Sequence, residues 1–113
     1  MSIDSETERK IQEAQAVEQN LQNLLMQKQT IQVELGEIEN ALSELAKSSG
    51  EVYKIVGGLM IRSEKSSLLK ELEEKKHLLE LRISSIEKQE KIFGEKAENL
   101  RKELTNLVSK QKN

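Results

Sequence analysis

The sequence predicts a mainly α-helical fold: a long antiparallel two-helix coiled coil with one β-hairpin at the connection. Three observations carry this reading. Apolar residues recur at alternating spacings of three and four along two long segments. A short β-prone stretch centred on Gly57-Gly58 separates them. Proline is absent, and Tyr53 and Phe93 are the only aromatics. A compact globule of 113 residues would bury several aromatic rings, whereas a coiled coil needs none. The length fits one domain over residues 1–113, with an N-terminal helix over 5–47, a hairpin over 51–63 and a C-terminal helix over 66–110.

In the first helical segment, one row of the seam is Val17, Leu24, Ile31, Ile38 and Leu45, which fit d positions of a heptad. The second row, at a positions, is Ala14, Leu21, Lys28, Leu35 and Leu42. Ile11 falls just off this seam. Ser2 or Ser5 is the expected N-cap, with Asp4, Glu6 and Glu8 favourable near the positive end of the helix dipole.

The connector follows. Ser48-Ser49-Gly50 is expected to end the first helix, with Gly50 in the left-handed position that favours glycine. Two β-prone runs then flank Gly57-Gly58, and glycine tolerates the positive φ that a two-residue hairpin turn demands. Folded about that pair, the hairpin carries Tyr53, Ile55 and Met60 on one face. Val52, Val56, Leu59 and Ile61 lie on the other. A lone two-stranded hairpin is marginal in water, and both of its edges are open. Other chains are therefore expected to complete it. The plainer alternative folds it down on the helix ends as a simple turn.

The second helical segment, capped by Ser66 or Ser67, has an unbroken d row: Leu72, Leu79, Ile86, Phe93, Leu100 and Leu107. Its a row is mixed: Leu69, Lys76, Ile83, Glu90, Ala97, Leu104 and Gln111. Gly94 interrupts the helix interior at a cost of roughly 1 kcal/mol relative to Ala. Brought back antiparallel, the seam sets Leu45 near Leu69, and Ile11 near the stretch from Glu103 to Leu107. Lys28 and Glu90 fall in adjacent layers. There, snorkelling of both side chains to water is favoured over a diagonal ion pair.

Catalytic and ligand chemistry has no foothold in these residues. The one histidine, His77, follows Glu74 at the spacing of half a di-metal motif, but the heptad register puts both on the outer face, with no second histidine to complete it. No glycine-rich loop leads into Lys-Ser or Lys-Thr, so no ATP site is expected. The reading is of a non-enzyme without cofactor or metal. Lys and Arg number 18 against 20 acidic residues with signs interspersed, which argues against nucleic-acid binding. The absence of cysteine fits a reducing compartment. No apolar signal segment or bilayer-length run occurs, and the expected location is the cytoplasm, away from membranes.

Four stretches carry a family resemblance: LMQKQTI from Leu25 to Ile31, EIENAL from Glu37 to Leu42, EVYKIVG from Glu51 to Gly57, and LELR from Leu79 to Arg82 leading to IEKQE ending at Glu90. Their order and spacing around a single hairpin resemble the β-class subunit of prefoldin, most closely the archaeal kind. Gly58 stands where a polar residue is expected in many relatives, and it still serves the turn. The resemblance implies two α and four β subunits joining their hairpins into a shared double β-barrel body, with six coiled coils hanging from it. It implies an ATP-independent chaperone that holds unfolded client proteins between the coiled-coil tips and passes them to a group II chaperonin. The candidate client-binding residues at the tips are Ile3, Ile11, Leu104, Leu107 and Val108, where helix ends open at low cost. For Leu104 and Leu107, ordinary seam packing is an equal alternative. The oligomerisation hairpin would be Val52, Tyr53, Ile55, Val56, Gly57, Gly58, Leu59, Met60 and Ile61. Arg101, Lys102, Lys110 and Lys112 either steer docking to an acidic chaperonin rim or simply keep the tip soluble. The rival class is a structural coiled-coil adaptor or tether that oligomerises through its hairpin.

Overall fold

A computed structural model describes residues 4–111. The element order is α1 (Ser5–Lys47), β1 (Val52–Val56), β2 (Leu59–Ser63) and α2 (Lys65–Gln111). The two strands pair antiparallel, with Val56 opposite Leu59, Ile55 opposite Met60, Lys54 opposite Ile61, and Tyr53 opposite Arg62. Gly57 and Gly58 have φ of 56° and 80°, so both central residues of the turn are left-handed, as a type I′ hairpin requires.

The chain divides into two compact units. One is Gln29–Ser84 and contains the hairpin with the helical stretches that flank it. Its buried apolar residues are Ile31, Ile38 and Leu45 of α1 and Leu79 of α2. Leu35, Leu42, Leu69, Leu72 and Ile83 are half-buried beside them. Glu34 of α1 pairs with Lys75 of α2 at 3.3 Å. Each buried Leu or Ile contributes about 1.5–3 kcal/mol relative to exposure.

The other unit joins the N-terminal stretch through Lys28 with the C-terminal stretch from Ser85. Val17, Leu24, Ile86 and Leu100 are buried in it. Ala14, Leu21, Phe93, Ala97 and Leu104 are half-buried around them. Lys10 meets Glu103 at 2.6 Å and Lys28 meets Glu90 at 2.8 Å. Partner numbers fall along α2 as they rise along α1, the mark of an antiparallel pair. In both units every buried apolar residue lies on a d row, while the apolar a positions, with Leu72, Phe93 and Leu107 of the d row, are half-buried.

Four local expectations need correction. Lys28 and Glu90 do not snorkel apart: Lys28 Nζ donates to Glu90 Oε1 at 2.8 Å. Gly50 is not left-handed, since positive φ among the described residues is confined to Gly57 and Gly58. Instead the Ser48 amide folds back on the Leu45 carbonyl at 3.2 Å, and Lys65 Nζ donates to the carbonyls of Ser48 (2.8 Å) and Ala46 (3.4 Å). A cation thus satisfies the carbonyls at the negative end of α1, which glycine would otherwise have turned. At the start of α1, Asp4 is the N-cap rather than Ser5. Its Oδ1 accepts the Thr7 amide at 2.7 Å and its carbonyl accepts the Glu8 amide at 3.0 Å. Ser2 lies outside the described residues. Finally, α2 begins at Lys65, so Ser66 and Ser67 sit within its first turn. The Glu64 carbonyl accepts the first helical bond, from Leu68.

Candidate assembly and client-binding surfaces

Local rules position the hairpin. Alternation along β1 and β2 gathers Tyr53, Ile55, Met60 and Arg62 on one face and Val52, Lys54, Val56, Leu59 and Ile61 on the other. At its base the hairpin is tied to its own unit. Val52 and Tyr53 line a shallow groove of about 390 Å³ with Ala41, Leu45, Leu68 and Leu72. Lys54 Nζ reaches Glu71 of α2 at 2.6 Å. The Glu51 carboxylate accepts Tyr53 Oη at 2.6 Å and pairs with Arg62 at 2.9 Å. That hydrogen bond, aided by desolvation, holds the Tyr53 phenol above its ordinary pKa.

Beyond the base the hairpin stands clear. Ile55, Val56, Leu59, Met60 and Ile61 are 48–72% exposed, on both faces and up to the turn. It therefore does not fold down on the helix ends as a simple turn. A contiguous apolar surface of this kind marks an interaction site, because leaving it in water forfeits its burial energy.

The tip residues separate into kinds. Ile11 and Leu104 come together in the lining of a shallow groove of about 390 Å³. Both are half-buried, as is Leu107. Val108 is open at 45% exposure. Ile3 lies outside the described residues. Near these side chains Lys10 bridges to Glu103, and the hydrogen bond from its ammonium to that carboxylate raises its pKa despite desolvation. Arg101 forks onto Glu98 at 2.6 and 3.1 Å, which lowers the Glu98 pKa and raises its own. Arg101 is thereby engaged within its own helix. Lys102 and Lys110 are exposed, and Lys112 lies outside the described residues.

Sequence reasoning passed over a set of exposed apolar side chains away from the seam: Leu25, Met26, Val33, Leu78, Leu81 and Ile92. Their heptad positions (c, e and f) gave the signal, since those positions lie outside the a and d rows that form the seam. It also missed Thr7, a buried residue at an a position one heptad before Ala14. Glu74 and His77 are both exposed and share a shallow groove with Glu73 and Leu78. Among the described residues no group of His, Asp or Glu is arranged to hold a metal ion, and no helix is long and apolar enough to cross a membrane.

This arrangement of a heptad helix pair and one exposed apolar hairpin matches known proteins over nearly its whole length. The family pattern described as "Prefoldin subunit" covers residues 8–111. The chain belongs to the prefoldin family. Among curated relatives, it is similar to the prefoldin subunit beta of Saccharolobus islandicus, with 38% identity over 93% of this chain and 85% of that one. The prefoldin subunit beta of Pyrobaculum islandicum is 40% identical over 85% of this chain and 78% of the relative. In structure the chain resembles the prefoldin beta subunit from Thermococcus strain KS-1, with a TM-score of 0.85 and 33% identity over 93% of this chain and 94% of that one. Prefoldin is a family of chaperone subunits, and the similarity is consistently to its β class.

Proposed function

We propose that the chain is the β subunit of an ATP-independent cytoplasmic holdase. In this reading four copies join two α-class subunits through their hairpins. The assembly captures unfolded clients and hands them to a group II chaperonin, without catalytic chemistry of its own. The observation that carries the reading is the hairpin, apolar on both faces and exposed beyond its base, in a chain whose helical seam is otherwise closed on itself. Pairing of its open edges and packing of its faces with other subunits would remove that surface from water.

Capture would fall to the paired helix ends. Val108 offers apolar surface directly, while Ile11, Leu104 and Leu107 offer part of theirs and release more when the last turns fray. Each such contact is weak. Several coiled coils engaging one client raise the effective concentration of the rest, so avidity replaces tight pockets. Exposed Lys102 and Lys110 are available to an acidic docking surface on a chaperonin rim.

The test is the aggregation of a chemically unfolded protein on dilution without ATP, followed by light scattering. The full chain with an α-class companion is compared with the same assembly shortened at both helix ends. Suppression by the intact assembly, lost on shortening while its mass shows it still assembled, supports capture at the tips. An intact assembly that leaves aggregation unchanged removes the holdase reading and leaves a structural adaptor in its place.

A further inference from the structure

One row of α1 has a pattern that neither the seam nor the assembly hairpin uses. Ile11, Gln15, Glu18, Gln22 and Leu25 follow one another at spacings of four, three, four and three, so they share one helix edge. The first four line the groove that Leu104 and Ala14 floor from the seam side. Leu25 continues the row beyond it, 45% exposed.

We propose that this row is a track for an extended, unfolded segment carrying a basic residue between two apolar ones. The proposal rests on the holdase reading and names the kind of client segment the tip region takes. The spacing is the first argument. Ile11, Glu18 and Leu25 are a heptad apart, about 10.5 Å at helical rise. The polyproline II conformation, a major conformer of unfolded chains, returns the same face every three residues, or about 9.3 Å. An apolar–basic–apolar triplet at that repeat therefore falls close to the Ile11, Glu18 and Leu25 positions. Such a segment has no internal hydrogen bonds and leaves its amides and carbonyls unpaired. Gln15 and Gln22, set between the three anchor positions, each carry both a donor and an acceptor for that backbone.

Charge is the second argument. Among the described residues no Lys or Arg pairs with Glu18. Arg101, a cation of the same unit, is held by Glu98. No cation lines the groove. Glu18 is thus a lone carboxylate between two amides, complementary to one positive charge. The backbone contacts ignore sequence, and the single charge and two apolar anchors supply a mild preference.

The experiment uses the full chain and two disordered, fluorescently labelled peptides. One is built of repeated Leu-Ser-Ser-Arg-Ser-Ser-Leu units, and the other has Glu in place of Arg. Binding is read by anisotropy in the native chain and in Glu18→Lys, with helicity checked by circular dichroism. The native chain is expected to prefer the Arg peptide about threefold, as befits one exposed ion pair, and Glu18→Lys to reverse the order. Equal affinities for both peptides in both proteins would overturn the track. So would a failure of both peptides to bind while the chain assembled with an α-class companion still suppresses aggregation, an outcome that leaves the holdase reading standing. Failure of peptide binding together with failure of that assembly to suppress aggregation would remove both.

Discussion

Lys28 and Glu90 meet inside the heptad seam, with Nζ and Oε1 2.8 Å apart and both side chains largely covered. Each occupies an a position where its row is otherwise mostly apolar. A slip of one helix along the other would leave each charge half-buried without its partner, which penalises wrong registers. The hydrogen bond to Glu90 raises the Lys28 pKa above 10.5. Desolvation opposes it, and the nearby charges of Glu90 and Glu87 add to it. Because the folded value lies above the unfolded one, the stabilisation is full below 10.5 and is lost as pH rises through the raised value. Lys28→Met should therefore lower the melting temperature at neutral pH, and the gap to the native chain should close at high pH. Leucine at both positions should melt above the native chain and pair its helices less uniquely. Thermal melts across pH, with cross-linking to read register, check both expectations.

Gly94 lies inside α2, where an added Cβ meets nothing within 4 Å. Gly94→Ala should stabilise the chain by about 0.5–1 kcal/mol, since only the conformational cost of glycine is removed. Gly57 also faces open space, yet its φ of 56° is left-handed. Gly57→Ala should cost about 1 kcal/mol and loosen the hairpin. Denaturant titration of the two variants should move in opposite directions.

Ile55 and Met60 face each other across the hairpin, and each is exposed. Lysine at both should leave helicity intact and shift sedimentation to lower mass. Loss of two apolar side chains that the proposed assembly would bury, at about 1.5–3 kcal/mol each, weakens association by more than about tenfold. Unchanged mass would mean that the hairpin is not the assembly surface.

Asp4 caps α1 through the Thr7 amide. Asp4→Ala should cost about 1 kcal/mol of helix stability and speed hydrogen exchange at that amide, with little effect on residues near the hairpin.

The long-range pattern was the legible part of this chain. Val17, Leu24, Ile31, Ile38 and Leu45 announce the seam because burial selects for hydrophobicity at a fixed period. The hairpin register is likewise legible, because Gly57-Gly58 admits the tight turn and fixes the pairs around it. The helix ends are less legible. Which of Ser2, Asp4 or Ser5 caps α1 depends on one hydrogen bond, and all three have the right chemistry. Gly50 looked like a left-handed stop, but Lys65, a residue distant in sequence, supplies the carbonyl partner instead. Periodicity could not decide the fate of Lys28 and Glu90, because pairing and snorkelling have similar free energies for half-buried long side chains. Candidate tip residues were legible as apolar positions near chain ends. How far each is covered depends on the facing helix, which puts Ile11 beside Leu104 in one groove and leaves Val108 open.

Exposed apolar side chains occur both near the helix ends, at Val108, and on the outer face, at Leu78 and Leu81. The most direct test of capture at the tips is site-specific photo-cross-linking. A photoreactive side chain is placed at Leu104, Val108, Leu78 or Leu81 in the assembled protein, and a labelled unfolded client is added. The account predicts adducts from Leu104 and Val108 and few from Leu78 or Leu81. Equal labelling from all four positions, or labelling mainly from Leu78 and Leu81, would contradict it.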